Sequence, residues 1–183
     1  LYESKTYVNS MNKLFFICLL SVSSLFSQTD WSSNTSPSYD ELVDYLKRTA
    51  ETHDFIELYN MGKSDYGPPI YLCIVNGAQD SLQTFKKARK ETTILFNNAI
   101  HPGEPDGINA CLIWLEELIA ERQLLEAMPI VAFVPAYNVG GMLNRSSTSR
   151  ANQNGPELYG FRGNAQNLDL NRDFIKMDAK NSF

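Results

Sequence analysis

The chain has 183 residues, with 16 basic and 21 acidic side chains and a formal net charge of -5, which argues against nucleic acid as the main partner. With 43% hydrophobic, 11% aromatic and 20% charged residues it can bury a core, which argues against wholesale disorder and favours about one domain. Three cysteines with no Cys-x-x-Cys pair exclude a disulfide scaffold and a cysteine-built zinc site.

The first methionine is Met11. Met11-Asn12-Lys13, the apolar run Leu14-Phe15-Phe16-Ile17-Cys18-Leu19-Leu20 and the small-residue tail after it have the form of a secretory signal peptide over residues 11–27, cleaved after Ser27. The apolar run falls short of the ~20 residues that a bilayer span needs. Residues 1–10 read as upstream sequence, and residues 28–37, rich in Ser, Asn and Thr, as a linker. The protein is thus expected to be secreted or periplasmic, with no membrane association once the signal is removed. Oligomeric state leaves no trace in the sequence. Cys18 would leave with the signal, while Cys73 and Cys111 sit in apolar stretches and read as buried thiols.

Ser38 and Glu41 have capping-box spacing, and Leu42, Leu46 and Thr49 recur helically, predicting a helix over residues 38–53. Residues 55–61 and 70–76 read as strands, the second nearly continuous in apolar side chains, with Gly67-Pro68-Pro69 closing the turn between them. A further strand is expected at 92–97. Ile108, Cys111, Leu112, Leu115, Leu118 and Ile119 form one stripe, predicting an amphipathic helix over 106–123. Ile130 to Val134 completes a strand–helix–strand unit within 129–135, hence an α/β fold with an at least partly parallel sheet.

The chemistry-bearing residues follow the strand at 92–97. Ligands collect beyond the carboxyl ends of strands in open α/β sheets, and there the chain reads His101-Pro102-Gly103-Glu104-Pro105. An imidazole and a carboxylate three residues apart can converge on one zinc ion when a turn brings both to one side. Pro102, Gly103 and Pro105 favour such a turn, and His101 is expected on an exposed loop. Residues 138–164 form a long segment rich in Asn, Ser, Thr and Gly that carries Arg145, Arg150 and Arg162, and segments of this kind are usually functional or disordered. It leads into Asn167-Leu168-Asp169-Leu170-Asn171-Arg172. An amide beside a guanidinium suits a planar carboxylate, although Arg172 paired with Asp169 or Asp173 at the surface would contribute little.

Together, His101-Pro-Gly-Glu104, Arg150-Ala-Asn152 and Asp169-Leu-Asn171-Arg172 resemble, in order and spacing, the zinc carboxypeptidases of the carboxypeptidase A/B type. Tyr39 to Leu46, and Gly62-Lys63-Ser64 through Tyr71, are similar to the opening of that catalytic domain. The resemblance runs from about Pro37 to the end, so residues 38–183 would be the N-terminal part of that domain. It implies a mixed, largely parallel central sheet flanked by helices, incomplete at the C-terminus. It further implies one zinc ion held by His101 and Glu104, in the His₂Glu set of carboxypeptidase A. Asp169 would orient the histidine, and Arg150, with Arg145 close by in the same loop, would stabilise the oxyanion. Asn171 and Arg172 would hold the terminal carboxylate of a peptide substrate.

There are two departures. Gly103 stands where the best-known members carry an arginine. The chain also has only two histidines, His53 and His101, and His53 reads as a solvated helix-end residue, so the second histidine ligand and the later general-base glutamate are missing. The chain is therefore expected to be a fragment of a longer secreted metallocarboxypeptidase, inactive as it stands and weak in zinc binding. Two alternatives remain. One is an amino-acid acylase of the aspartoacylase type, which shares the His-x-x-Glu and Asp-x-Asn-Arg patterns, and the other is a non-catalytic module that keeps the carboxylate clamp.

Overall fold

The computed structural model describes residues 30–78 and 80–182. The signal-peptide reading lies outside the described residues. Within the segment that composition marks as a linker, Trp31 and Pro37 are buried while residues 32–35 are exposed. Trp31 is 4% exposed and meets Tyr45 edge-on at 5.2 Å, while Asn109 Nδ2 donates to the carbonyls of Trp31 and Thr35.

The first helix, α1 (Tyr39–Thr52), begins where the capping box places it. Ser38 Oγ accepts from the Glu41 amide, and Glu41 Oε2 accepts from the Ser38 amide at 2.8 Å. Its apolar stripe, Leu42, Val43 and Leu46, is buried. Strands β1 (Ile56–Lys63) and β2 (Pro69–Val75) form an antiparallel pair. Gly62, at the register irregularity near the end of β1, and Gly67, in the turn, take φ of +112° and +115°, a region glycine enters without a Cβ clash. A short helix outside the expected elements, α2 (Ser81–Ala88), follows, capped by Asp80 accepting from the Gln83 amide.

Strand β3 (Thr93–Asn97), helix α3 (Asp106–Ala120) and strand β4 (Ile130–Val134) make the expected crossover unit, and β3 pairs with β4 in parallel. The predicted helix over 106–123 stops at Ala120 and gives way to a 3₁₀ turn, Arg122–Ala127. The sheet order is β1-β2-β4-β3, a mixed sheet flanked by helices, as expected for the α/β class. Among the described strands the parallel contact is β3–β4, while β1–β2 and β2–β4 run antiparallel. The short β1–β2 connection allows no other direction for that pair.

One face of the sheet carries the main core. Leu42 and Leu46 of α1, and Ile108, Leu112, Leu115 and Leu118 of α3, pack with Cys73, Val75, Val131 and Phe133. A smaller cluster, Ile74, Ile130 and Ala132, lies with Tyr59, Leu72 and Ala88. Strand β3 is an edge strand, and Ile94, Leu95 and Phe96 are 42%, 63% and 46% exposed. Among the described residues no helix is long and apolar enough to cross a membrane.

Candidate functional site

The chain leaves β3 through Ala99, whose φ of +53° is a left-handed conformation that costs a non-glycine residue on the order of 1–3 kcal/mol. That bend is held on both sides. The Asn98 amide donates to Val134 O, and the amides of Tyr137 and Asn138 donate to Asn98 O and Ala99 O. The next residues turn back at once, with the Glu104 amide donating to His101 O at 2.8 Å. This is the turn that Pro102 and Gly103 predict, and it brings the two side chains to one side.

His101 is buried, at 7% exposure, which corrects the expectation of an exposed loop histidine. The loops after β4 cover it, and Gly160 donates its amide to Pro102 O. His101 Nε2 lies 2.8 Å from Asp169 Oδ1, and Nδ1 lies 3.6 Å from Glu104 Oε2. An ionised carboxylate only accepts, so Nε2 carries a proton, and Nδ1 is the nitrogen that faces Glu104. Asp169 also accepts from the Asn171 amide at 3.1 Å and from Arg162 Nε and Nη2 at 3.2 and 2.9 Å. The His101 bond first, then Arg162 and the Asn171 amide, outweigh burial and hold the Asp169 carboxyl down at about 2.

Of the neighbouring arginines, Arg150 reaches the site, its Nη2 lying 2.7 Å from Glu104 Oε1. Arg145 does not, because its guanidinium donates to the carbonyls of Ser36, Pro37 and Leu158. The backbone of Arg150 is pinned by buried Tyr159, whose hydroxyl accepts from the Arg150 amide and donates to its carbonyl. Asn171 joins His101 and Glu104 in lining a cleft of about 250 Å³, with Asn97, Asn98, Ala99, Ile100 and Gly107. Arg172 is exposed and adjacent, its Nη1 donating to Asn171 O, and it does not line that cleft. Larger cavities of about 500 and 480 Å³ lie elsewhere, but their linings hold no paired imidazole and carboxylate, so chemistry rather than size locates the site.

Two contributors escaped the sequence reading. Arg162 was visible only as one of three arginines in a long loop. Asn138, fully buried, accepts from the Gly141 amide and donates to Ile100 O and Arg162 O; only its place at the start of that loop marked it. As a donor set, an imidazole nitrogen beside a carboxylate fits zinc. Among the described residues no group of three or more His, Cys, Asp or Glu is gathered to hold a metal, because Asp169 engages the far nitrogen of the same ring.

No curated protein matches the sequence. Among solved structures, the fold is similar to a metallo-carboxypeptidase from Burkholderia cenocepacia at 16% identity and a TM-score of 0.53, covering 80% of this chain and 36% of that one. It is also similar to carboxypeptidase A from Helicoverpa armigera, at 18% identity and a TM-score of 0.52, with 79% and 35% covered. A third is a metallo-carboxypeptidase from Pseudomonas aeruginosa, in complex with (2-guanidinoethylmercapto)succinic acid, at 20% identity and a TM-score of 0.52, with 77% and 32% covered. The chain thus spans about a third of the length of the structures it matches. Residues 42–182 match the zinc carboxypeptidase family, and the chain belongs to that family.

Proposed function

We propose that the chain contributes the His–Glu side of the active site in a secreted, zinc-dependent carboxypeptidase that hydrolyses the C-terminal peptide bond of peptides. The observation that carries this reading is the orientation of His101. With Nε2 engaged by Asp169, Nδ1 faces the Glu104 carboxylate 3.6 Å away. His101 and Glu104 would hold one zinc ion, which when bound polarises the scissile carbonyl and activates water.

The chain's own groups divide the remaining work. Asp169 keeps the proton on Nε2 and the ring in one orientation. Arg150, beside Glu104, would donate to the oxygen that becomes negative as the peptide carbonyl is attacked. Asn171, lining the cleft, and Arg172 after it would take the substrate's terminal carboxylate, the amide by one N–H and the guanidinium by two. With two histidines in 183 residues and about a third of its structural relatives covered, the third ligand and the general base would come from sequence outside this chain. The 183 residues alone would then bind zinc weakly and turn nothing over. The Met11 to Ser27 pattern supports export. The family match supports the peptidase over the acylase.

The test is hydrolysis by the full-length protein of one peptide with a free and with an amidated C-terminus, before and after chelation. The reading expects release of the last residue from the free acid only, lost with chelator and restored by zinc. Equal cleavage of the amidated peptide, or deacylation of N-acyl amino acids without peptide hydrolysis, would overturn it.

A further inference from the structure

Asp169 uses its two oxygens for different partners. Oδ1 accepts from His101 Nε2 at 2.8 Å and from the Asn171 amide at 3.1 Å, and Oδ2 receives Nε and Nη2 of Arg162 at 3.2 and 2.9 Å. The terminal torsion of aspartate is broad and roughly two-fold, so the bonds on Oδ1 leave the tilt of the carboxylate plane soft. A two-pronged guanidinium contact on the other oxygen fixes that plane.

The arginine is itself anchored. Its carbonyl accepts from Asn138 Nδ2 at 3.1 Å, and the preceding Phe161 amide donates to Gly141 O at 2.8 Å. The fit there is tight, since a Cβ on Gly141 would stand 2.5 Å from Phe161 O and 2.6 Å from Gly163 O. Asn138 Nδ2 also donates to Ile100 O at 3.2 Å, one residue before the histidine. A closed circuit results, running from Ile100 through Asn138, Arg162 and Asp169 to the ring of His101.

We propose that Arg162 is a positioning residue for the metal-facing nitrogen of His101, acting through Asp169. The proposal rests on the reading of His101 as a zinc ligand. Because Arg162 and Asp169 are both partly open to water, at 44% and 29% side-chain exposure, their pairing adds little to stability. Its effect is on orientation: it fixes the carboxylate that fixes the imidazole.

Zinc affinity and unfolding midpoint would be measured for the full-length protein, Arg162→Gln, Arg162→Lys and His101→Ala. The His101 tautomer would be read by ¹⁵N resonance of the metal-free protein labelled at histidine. For Arg162→Gln, zinc affinity falls by up to roughly 10-fold, the lower end of the loss seen when the direct partner of a metal-bound histidine is removed. The unfolding midpoint stays near wild type, and the single Nε2–H signature becomes a mixture. Arg162→Lys, with the charge but one prong, falls between. Wild-type affinity and tautomer in a folded Arg162→Gln would overturn the proposal; should that variant fail to fold, unchanged affinity in Arg162→Lys would do so. Zinc binding lost in His101→Ala but unaltered at Arg162 defeats this inference alone, whereas zinc binding indifferent to His101→Ala defeats the metal site beneath it.

Discussion

A Cβ placed on Gly103 would lie 2.7 Å from Arg150 Cδ and 2.9 Å from Gly160 O. The glycine in the His-x-x-Glu turn thus leaves room for the stem of the arginine that reaches Glu104 from the far loop. The departure at this position from the better-known relatives is therefore matched across the cleft, where Arg150 passes through the space a side chain would need. Gly103→Ala is expected to cost about 1–3 kcal/mol, as overpacking does, because a backbone carbonyl cannot yield as a flexible side chain can. Urea unfolding of the variant beside Gly107→Ala, whose added Cβ would meet a side-chain oxygen of Asn98 at 2.9 Å, measures it. A Gly103→Ala protein as stable as wild type would contradict the tight approach.

His101→Ala is expected to destabilise the fold by about 1–3 kcal/mol, since it leaves Asp169 Oδ1 short of a partner and a buried space unfilled. His101→Gln, which keeps a donor, should recover part of the loss. Denaturant midpoints decide between this and an exposed loop histidine, whose removal would leave the midpoint within about 0.5 kcal/mol of wild type.

Strong acidification should weaken the Asp169 contribution. Its folded-state value of about 2 lies below the ordinary 3.8, so between the two the unfolded chain binds more protons, and stability rises with pH across that window. The difference in stability between wild type and Asp169→Asn should shrink as pH falls from about 4 towards 2. A difference that widens on acidification would contradict the hydrogen-bonded, ionised carboxylate.

Much of the fold was legible because local signals and packing agree. The capping box placed the start of α1, the apolar stripe of α3 is the stripe that packs on the sheet, and the strand at Ile130–Val134 is as apolar as its burial requires. Helix α2 was missed because it is only eight residues long and its apolar stripe is short, with Leu82 and Phe85 largely exposed, so that its clearest signal is the Asp80 cap. The antiparallel pairing of β2 with β4 has no signature in either strand, since a strand buried on both faces reads alike in both directions.

At the site, the turn from His101 to Glu104 was written in Pro102 and Gly103. The burial of His101 was not, because it comes from the loops after β4, whose Asp169 lies 68 positions away. The choice between Arg145 and Arg150 also needed space: three backbone carbonyls hold one, and Glu104 faces the other. Arg162 was hidden for the same reason, since a surface arginine in a polar loop looks alike whether it is solvated or aimed at a carboxylate.

The central claim is that His101 and Glu104 face a common metal ion, and the most direct measurement is the zinc content of the purified full-length protein by elemental analysis. The wild type is expected to carry about one zinc per chain, consistent with a single His₂Glu site, and folded His101→Ala and Glu104→Ala proteins to lose it. One zinc per chain retained in both folded variants would contradict it.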